Sequence, residues 1–376
     1  MAVKIQIHDG MGILQKFYHL DWVLVALIAA VASTGFAALY SAAGGHIDPW
    51  ASRQMIRFLA GAMGMLVIAL IDVRLWHRFS YVIYAVCFVM LIAVEIIGHV
   101  GMGAQRWINL GFIQIQPSEL MKIAVVLALA RYFHAGAADS AARITFLIPP
   151  ALMILAPFAL VLLQPDLGTA LMIGMVGAAM FFIAGAPRWI FIGGLTAVAA
   201  AVPVAWHFLH DYQRQRVLTF LDPESDPLGA GYHIMQSKIA LGSGGIGGKG
   251  FLHGTQSHLN FLPEKQTDFI FTLWAEEWGL FGGVLLLALF GLIMLYCGWI
   301  AFRCRHSFGR LVAYGLMINF SLYVIINAAM VMGLIPVVGV PLPLVSYGGT
   351  AMLAALTGFG ITMSCHLHRD AKLPRM

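Results

Sequence analysis

The sequence predicts an all-α polytopic membrane protein, with about ten transmembrane helices and one long ordered loop between the seventh and eighth. Three observations lead there. Of the 376 residues, 60% are hydrophobic and 10% charged, and the mean hydropathy is +0.85. A soluble domain carries roughly 25% charged and about 45–50% apolar residues, so this chain needs lipid to cover its apolar excess. Apolar runs of spanning length recur from end to end. Lys and Arg collect in alternate connections.

The runs fall at 20–41, 54–71, 79–98, 118–134, 145–163, 167–186, 189–209, 270–301, 311–332 and 346–366. Residues 1–20 contain no apolar core followed by a small-residue cleavage site, so the first run reads as a retained helix. Only Gln164-Pro165-Asp166-Leu167-Gly168 separates the fifth from the sixth, which predicts a tight hairpin. Placing the N-terminus in the cytoplasm puts Lys4, Lys16, Arg74, Arg78, Arg131, Arg143, Arg188, Arg303, Arg305, Arg310, Arg369, Lys372 and Arg375 on that side. Both termini are then cytoplasmic, and the positive-inside rule holds at each connection. The chain reads as a single integral membrane domain over 1–376.

The segment 210–269 differs from the rest. It is expected outside the membrane and carries Asp211, Arg214, Arg216, Asp222, Glu224, Asp226, Lys238, Lys249, Glu264, Lys265 and Asp268. Loops beyond about 12–15 residues are usually functional or disordered. Its amphipathic stretches and aromatics predict order, as short helices lying on the membrane surface. The net charge of +5 and pI near 9.1 come from scattered cations without a basic face, which excludes a nucleic-acid partner. Cys87, Cys297, Cys304 and Cys365 show neither zinc nor disulfide spacing.

Several motifs carry chemistry. Gly242-Ser243-Gly244-Gly245-Ile246-Gly247-Gly248-Lys249-Gly250 fits neither nucleotide motif in context. It reads as backbone that turns sharply or approaches a ligand closely, with Lys249 either meeting an anion or solvated. Glu119 and Lys122 lie three apart on one face of span four, as a structural ion pair or part of a site. Glu95, near the end of its helix, reads as a snorkelling or protonated carboxyl. Gln116-Pro117-Ser118-Glu119 and Gln164-Pro165-Asp166 each open a helix, and helix N-termini gathered at one surface favour anions such as pyrophosphate. Asp268 stands where the polar loop enters span eight, as a helix cap or as a base beside an apolar wall. Glu276 and Glu277, deeper in that span, must face protein. Pro336, Pro341 and Pro343 interrupt the chain before span ten, which predicts a re-entrant wall or a rigid loop.

These stretches resemble the SEDS family (shape, elongation, division, sporulation) from the first span to the last. Gly103-Ala104-Gln105-Arg106-Trp107, Gln116 to Glu119, Gln164 to Thr169, Asp268-Phe269-Ile270 with Glu276-Glu277, and Pro341 to Gly349 carry the resemblance. Asp211 to Val217, Leu221 to Tyr232 and Gly250 to Ser257 place it with the rod-shape branch. The resemblance implies a peptidoglycan glycosyltransferase that polymerises lipid II on the outer face of the cytoplasmic membrane. The alternatives in that setting are a lipid II flippase or a non-catalytic scaffold. The implied partners are a class B penicillin-binding protein transpeptidase and the MreB-associated elongation complex, with membrane lipid around the bundle. By similarity Asp268 is the catalytic aspartate, and Glu119 with Lys122 matches the family's helix-four pair. Gln266 stands where relatives often carry His. Substrate contacts are expected from Arg106, Glu119, Lys122, Asp166, Arg214, Lys238, Lys249, Glu264 and Lys265. No cofactor is fixed by the residues, and a divalent cation (Mg or Mn) is the one that could assist departure of the pyrophosphate.

Overall fold

A computed structural model describes residues 12–101, 104–109, 114–136, 140–164, 166–208, 211–222, 230–259 and 264–374. Lys4, Gly103, Pro165, the 223–229 part of the loop motif, Pro263 and Arg375 lie outside these described residues. A short helix, α1 (Ile13–Tyr18), precedes the bundle. Ten helices then fall where the ten apolar runs predict them: α2 (Trp22–Ala42), α3 (Ala51–Leu70), α4 (Val73–Ile97), α5 (Pro117–Ala135) and α6 (Ile144–Leu163), then α7 (Leu167–Ile183), α8 (Arg188–Phe208), α12 (Ile270–Arg303), α13 (Ser307–Val331) and α14 (Gly349–Leu367). Seven of them are long and apolar enough to cross a membrane on those criteria alone, and α7 and part of α8 form shorter apolar helices. The protein is a multi-pass membrane protein.

Apolar stripes on the outside are what lipid requires. Ile56, Leu59, Met63 and Val67 on α3 are exposed at helical spacing, as are Val82, Val86 and Val89 on α4. On a soluble protein such stripes would demand a partner. Here they meet acyl chains. Helix α5 is the opposite case, buried on all sides among α4, α6, α7 and α13. Helix α14 packs along α3, where Gly360 lets the backbones close: a Cβ there would lie 2.7 Å from Met65 O. Small residues allow such approaches between membrane helices.

Two features depart from a plain bundle with surface loops. The connection between α4 and α5 forms a small antiparallel sheet, β1 (His99–Gly101), β2 (Ala104–Asn109) and β3 (Gln114–Ile115), in that order. The all-α expectation missed it because these strands are too short to show a clear alternation. The segment 210–269 contains α9 (Asp211–Leu221), α10 (Ala230–Ser243) and α11 (Thr255–His258).

The far end of the bundle is closed by histidines. His366 Nδ1 lies 2.8 Å from Asp21 Oδ2, and its Nε2 accepts from Arg369 at 3.0 Å. His306 Nδ1 accepts from Gly309 N at 2.8 Å, which leaves Nε2–H to donate to His368 O at 3.3 Å. Burial pushes His306 from its ordinary 6.5 down to about 4. Between those values the unfolded chain binds more protons than the folded protein, so stability falls as pH falls through that window. The loss from this group is at most about 3 kcal/mol. Thermal unfolding of the detergent-solubilised protein should therefore weaken between pH 7 and pH 4.5, and His306→Asn should shrink that dependence. Identical pH profiles for the two proteins would contradict the assignment.

Candidate functional site

The site is built around the irregular segment 333–348, which separates α13 from α14. Asp268 belongs to a turn over 264–269 that feeds into α12. Thr267 N and Phe269 N both donate to Glu264 O, at 3.0 and 3.3 Å, and Glu264 adopts a left-handed φ of 55°. The turn is fastened to the irregular segment at two points and to α13 at a third. Ser346 Oγ donates to Thr267 O (2.7 Å), Tyr347 N to Gln266 O (2.8 Å), and Asn327 Nδ2 from α13 to Asp268 O (2.9 Å). Ser346 Oγ also accepts from Leu342 N, and Gln54 Nε2 on α3 donates to Ser346 O at 2.9 Å. Gln266 thus contributes through its backbone carbonyl, which does not depend on whether Gln or His stands there. The Asp268 carboxylate lies against bare backbone: a Cβ on Gly339, which sits at φ 77°, would be 3.4 Å from Asp268 Oδ2.

Beneath that segment is the ion pair of α5. Lys122 Nζ donates to Glu119 Oε1 at 2.8 Å. Tyr323 on α13 completes it, its hydroxyl bonding to both Lys122 Nζ and Glu119 Oε2, and Lys122 Nζ stands 4.3 Å from the Tyr323 ring centroid. Lys122 is 1% and Glu119 6% exposed. Val340 packs on Tyr323 and Met172, so the segment bearing Gly339 rests directly on the residues that hold the pair. A cavity of about 20 Å³ opens beside Glu119 and Tyr323, lined also by Asn319 and Pro343. That is room for one water.

On the other flank Asp166 caps α7, accepting from Thr169 N (3.2 Å) and Thr169 Oγ1 (3.0 Å). Gln116 Nε2 reaches Asp166 Oδ2 at 3.4 Å, and Arg106 Nε on β2 lies 3.7 Å from the same oxygen. Arg106 Nε also donates to Gln164 O at 3.4 Å. Val338 presses on Gly168 in the first turn of α7, which brings this cluster to the same segment as Asp268. Asp268, Asp166, Arg106, Glu119 and Lys122 are therefore gathered around residues 338–340.

The remaining candidates are engaged elsewhere. Lys249 Nζ binds Glu276 Oε1 at 2.7 Å. Glu276, fully buried, also accepts from Gln256 N (2.9 Å), Ser257 N (3.2 Å) and Ser257 Oγ (2.8 Å), so it caps α11 and anchors the loop to α12. The glycine run does approach something closely, namely α12. Lys249 N and Gly250 N donate to Glu276 O and Glu277 O, and Leu280 N donates back to Gly245 O. Helix α12 breaks at Gly279 (φ 64°, ψ −161°), where a Cβ would meet Gly248 N and lie 2.6 Å from Ile246 O. Lys265 Nζ donates to Ser257 O at 2.9 Å, and burial lowers its pKa from the ordinary lysine value. Glu264 Oε2 accepts from Thr267 Oγ1 at 2.8 Å. Arg214 donates to Trp206 O and His207 O at the end of α8, and Lys238 folds over Gly333 just past α13. Glu277 is buried and accepts from Ser41 Oγ, while Glu95 is exposed. Among the described residues no group of three or more His, Cys, Asp or Glu side chains is arranged to hold a metal.

Tyr323, Asn327, Ser346 and Gln54 were not singled out from sequence. The signal was available for three of them, because a polar side chain inside an apolar span calls for a partner. Ser346 had no such mark.

Fold and site together define a polytopic membrane protein in which a carboxylate and two further polar clusters meet helix ends and a non-helical segment. The chain belongs to the FtsW/RodA/SpoVE family of cell cycle proteins, whose model matches residues 15–371. It is 47% identical over 353 residues to the peptidoglycan glycosyltransferase MrdB of Escherichia coli K12, covering 93% of this chain and 94% of that one. It is 33% identical over 357 residues to stage V sporulation protein E of Bacillus subtilis, covering 92% and 96%. Its structure is similar to a chain of a peptidoglycan synthase complex that coordinates polymerization and crosslinking (TM-score 0.82, 35% identity, 94% and 99% covered). It also resembles crystalline RodA of Thermus thermophilus (TM-score 0.72, 30% identity, 94% and 99% covered).

Two outcomes follow for the loop anchor. Lys249→Ala leaves Glu276 fully buried without its cation, and limited proteolysis should then cut within 244–259 faster than in wild type. An unchanged cleavage rate would contradict the anchoring role. Gly279→Ala forces a side chain onto left-handed backbone at a closed contact, which costs about 1–3 kcal/mol. Its melting temperature should drop by several degrees, and an unchanged value would show that the two strands of backbone are not in contact.

Proposed function

We propose that this chain is a peptidoglycan glycosyltransferase that polymerises lipid II, with Asp268 as the base. One observation carries the assignment to these residues. The Asp268 carboxylate lies on the bare backbone of Gly339, between the buried Glu119–Lys122–Tyr323 knot and the Arg106–Asp166 cluster. The family and the named relatives support the activity.

The chemistry is a single displacement with inversion, from an α-linked pyrophosphate donor to a β-1,4-linked product. Asp268 accepts the proton of the acceptor sugar's 4-hydroxyl as that oxygen attacks the donor's anomeric carbon. The new C1–O4 bond forms while the C1–O bond to phosphate breaks, and the pyrophosphate leaves with the bonding pair. The leaving group is already an anion, so it needs positive charge more than an acid. Lys122 and Lys249 are each paired with a buried carboxylate at hydrogen-bond distance, whereas Arg106 meets the Asp166 carboxylate at 3.7 Å, so Arg106 is the cation best placed for that task. Its side chain is 28% exposed beside the N-terminus of α7. A divalent cation, if one binds, would be held by Asp166 or Asp268 and would offset negative charge on the substrate phosphates.

The site lies on the outer face of the cytoplasmic membrane in this reading, with both termini inside, as the distribution of Lys and Arg supports. A class B penicillin-binding protein supplies the crosslinking, in line with the synthase complex that the structure resembles, and an MreB-associated machinery organises the pair.

The test uses purified Asp268→Asn with lipid II and the partner transpeptidase. Loss of a positioned base lowers glycan synthesis by about 10²–10⁴-fold. Strands formed at the wild-type rate would remove Asp268 from the mechanism.

A further inference from the structure

Asn327 on α13 is fully buried, and both of its amide hydrogens are used at the site. Nδ2 donates to Asp268 O at 2.9 Å and to Val340 O at 2.8 Å. Two carbonyl acceptors on the same atom fix which end of the amide is nitrogen. Oδ1 finds no partner among the described residues and is shut away from solvent. A buried acceptor left unmade costs about 1–3 kcal/mol, which an apolar side chain of similar size would avoid. Stability alone therefore does not account for an asparagine here. What it adds is the paired donor.

That donor joins the two halves of the site. One carbonyl belongs to the residue that carries the carboxylate. The other belongs to the residue after Gly339, whose backbone that carboxylate lies against. A single amide thus sets the distance from Asp268 to its wall. Tyr323, four residues earlier and so on the same face of α13, holds Glu119 and Lys122. Both parts of the machinery hang from adjacent turns of one helix.

We infer that Asn327 is a positioning residue for the Asp268 carboxylate, acting through the backbone of Asp268 and Val340. The inference rests on the glycosyltransferase reading above. A misplacement of about 1 Å at a reacting group costs on the order of 10²-fold in rate. The expected effect is on turnover, because Asn327 has no contact of its own to offer a substrate.

Full-length Asn327→Ala, Asn327→Asp and Asn327→Ser are compared with wild type and Asp268→Asn in lipid II polymerisation with the partner transpeptidase. Rates are expressed per folded molecule, counted by monodisperse elution and ligand-independent melting. Ala removes both donors, and Asp keeps the shape while facing two carbonyls with lone pairs. Both should lower kcat by roughly tenfold or more, with KM within about twofold of wild type. Ser keeps one donor and should recover part of the loss seen with Ala. A merely structural asparagine would lower the melting temperature and the folded fraction while leaving kcat per folded molecule unchanged. Wild-type kcat in Ala and Asp, or Ser no better than Ala, while Asp268→Asn is inactive, would overturn the inference and leave the functional reading standing. An active Asp268→Asn would overturn both.

Discussion

The fold turns on one buried ion pair. Lys122 and Glu119 sit in a helix packed among α4, α6, α7 and α13, at 1% and 6% exposure, and Tyr323 bonds to both. A charge at such a depth costs about 2.5–3.5 kcal/mol on insertion scales when nothing compensates it. Pairing, a phenol hydroxyl and a cation–π contact together make the position tolerable. The geometry that satisfies them is narrow. It fixes the rotation and height of α5 against α13, and everything built on those two helices inherits that register. Removing either partner would leave an uncompensated charge, a far larger perturbation than deleting the pair as a whole.

The first structure to inherit that register is the irregular segment between α13 and α14. Non-helical backbone enclosed among apolar helices needs its polar groups satisfied by protein. Here side chains from three directions do it: Gln54 from α3, Asn327 from α13, and Ser346 from the segment itself. Ser346 and Asn327 also reach the turn that bears Asp268, at Thr267 O and Asp268 O, and Tyr347 N joins them at Gln266 O. Satisfying the backbone and placing the carboxylate are thus one arrangement. A segment stitched in this way cannot shift without carrying the aspartate along.

Legibility in the sequence followed the strength of the physical signal. Ten apolar runs became ten helices because twenty-residue hydrophobicity is the strongest pattern lipid imposes. Glu119, Lys122 and Asp268 could be picked out because charge is rare in this chain. The sheet at 99–115 could not, since its strands are only two to six residues long. The glycine run was read as a close approach, yet its target was invisible. That target is the backbone of α12 at Gly279, about thirty residues away in sequence, and it is set by tertiary packing. Lys249 suffered the same way. An isolated lysine beside glycines suggests an anion site, and only the fold reveals Glu276 as its partner. Asn327 and Tyr323 carry a weaker mark than a charge, so a scan for charges passes over them.

The fate of the cations bears on the chemistry. The sequence offers several near the site, but the structure commits Lys122 to Glu119, Lys249 to Glu276, Lys265 to Ser257 O and Arg214 to the carbonyls ending α8. In the proposed reading, a pyrophosphate arriving there would find these four cations already engaged. It would meet Arg106, held at 3.7 Å from Asp166, and the N-terminus of α7 that Asp166 caps. In the proposed reading, fixed dipoles and the Arg106 guanidinium face the leaving group, and fixed groups need little reorganisation as charge develops on a leaving oxygen. In that reading the product anion would be held less tightly than by a lysine cluster. For an enzyme that must release a pyrophosphate at every cycle, moderate and preorganised attraction is the better arrangement.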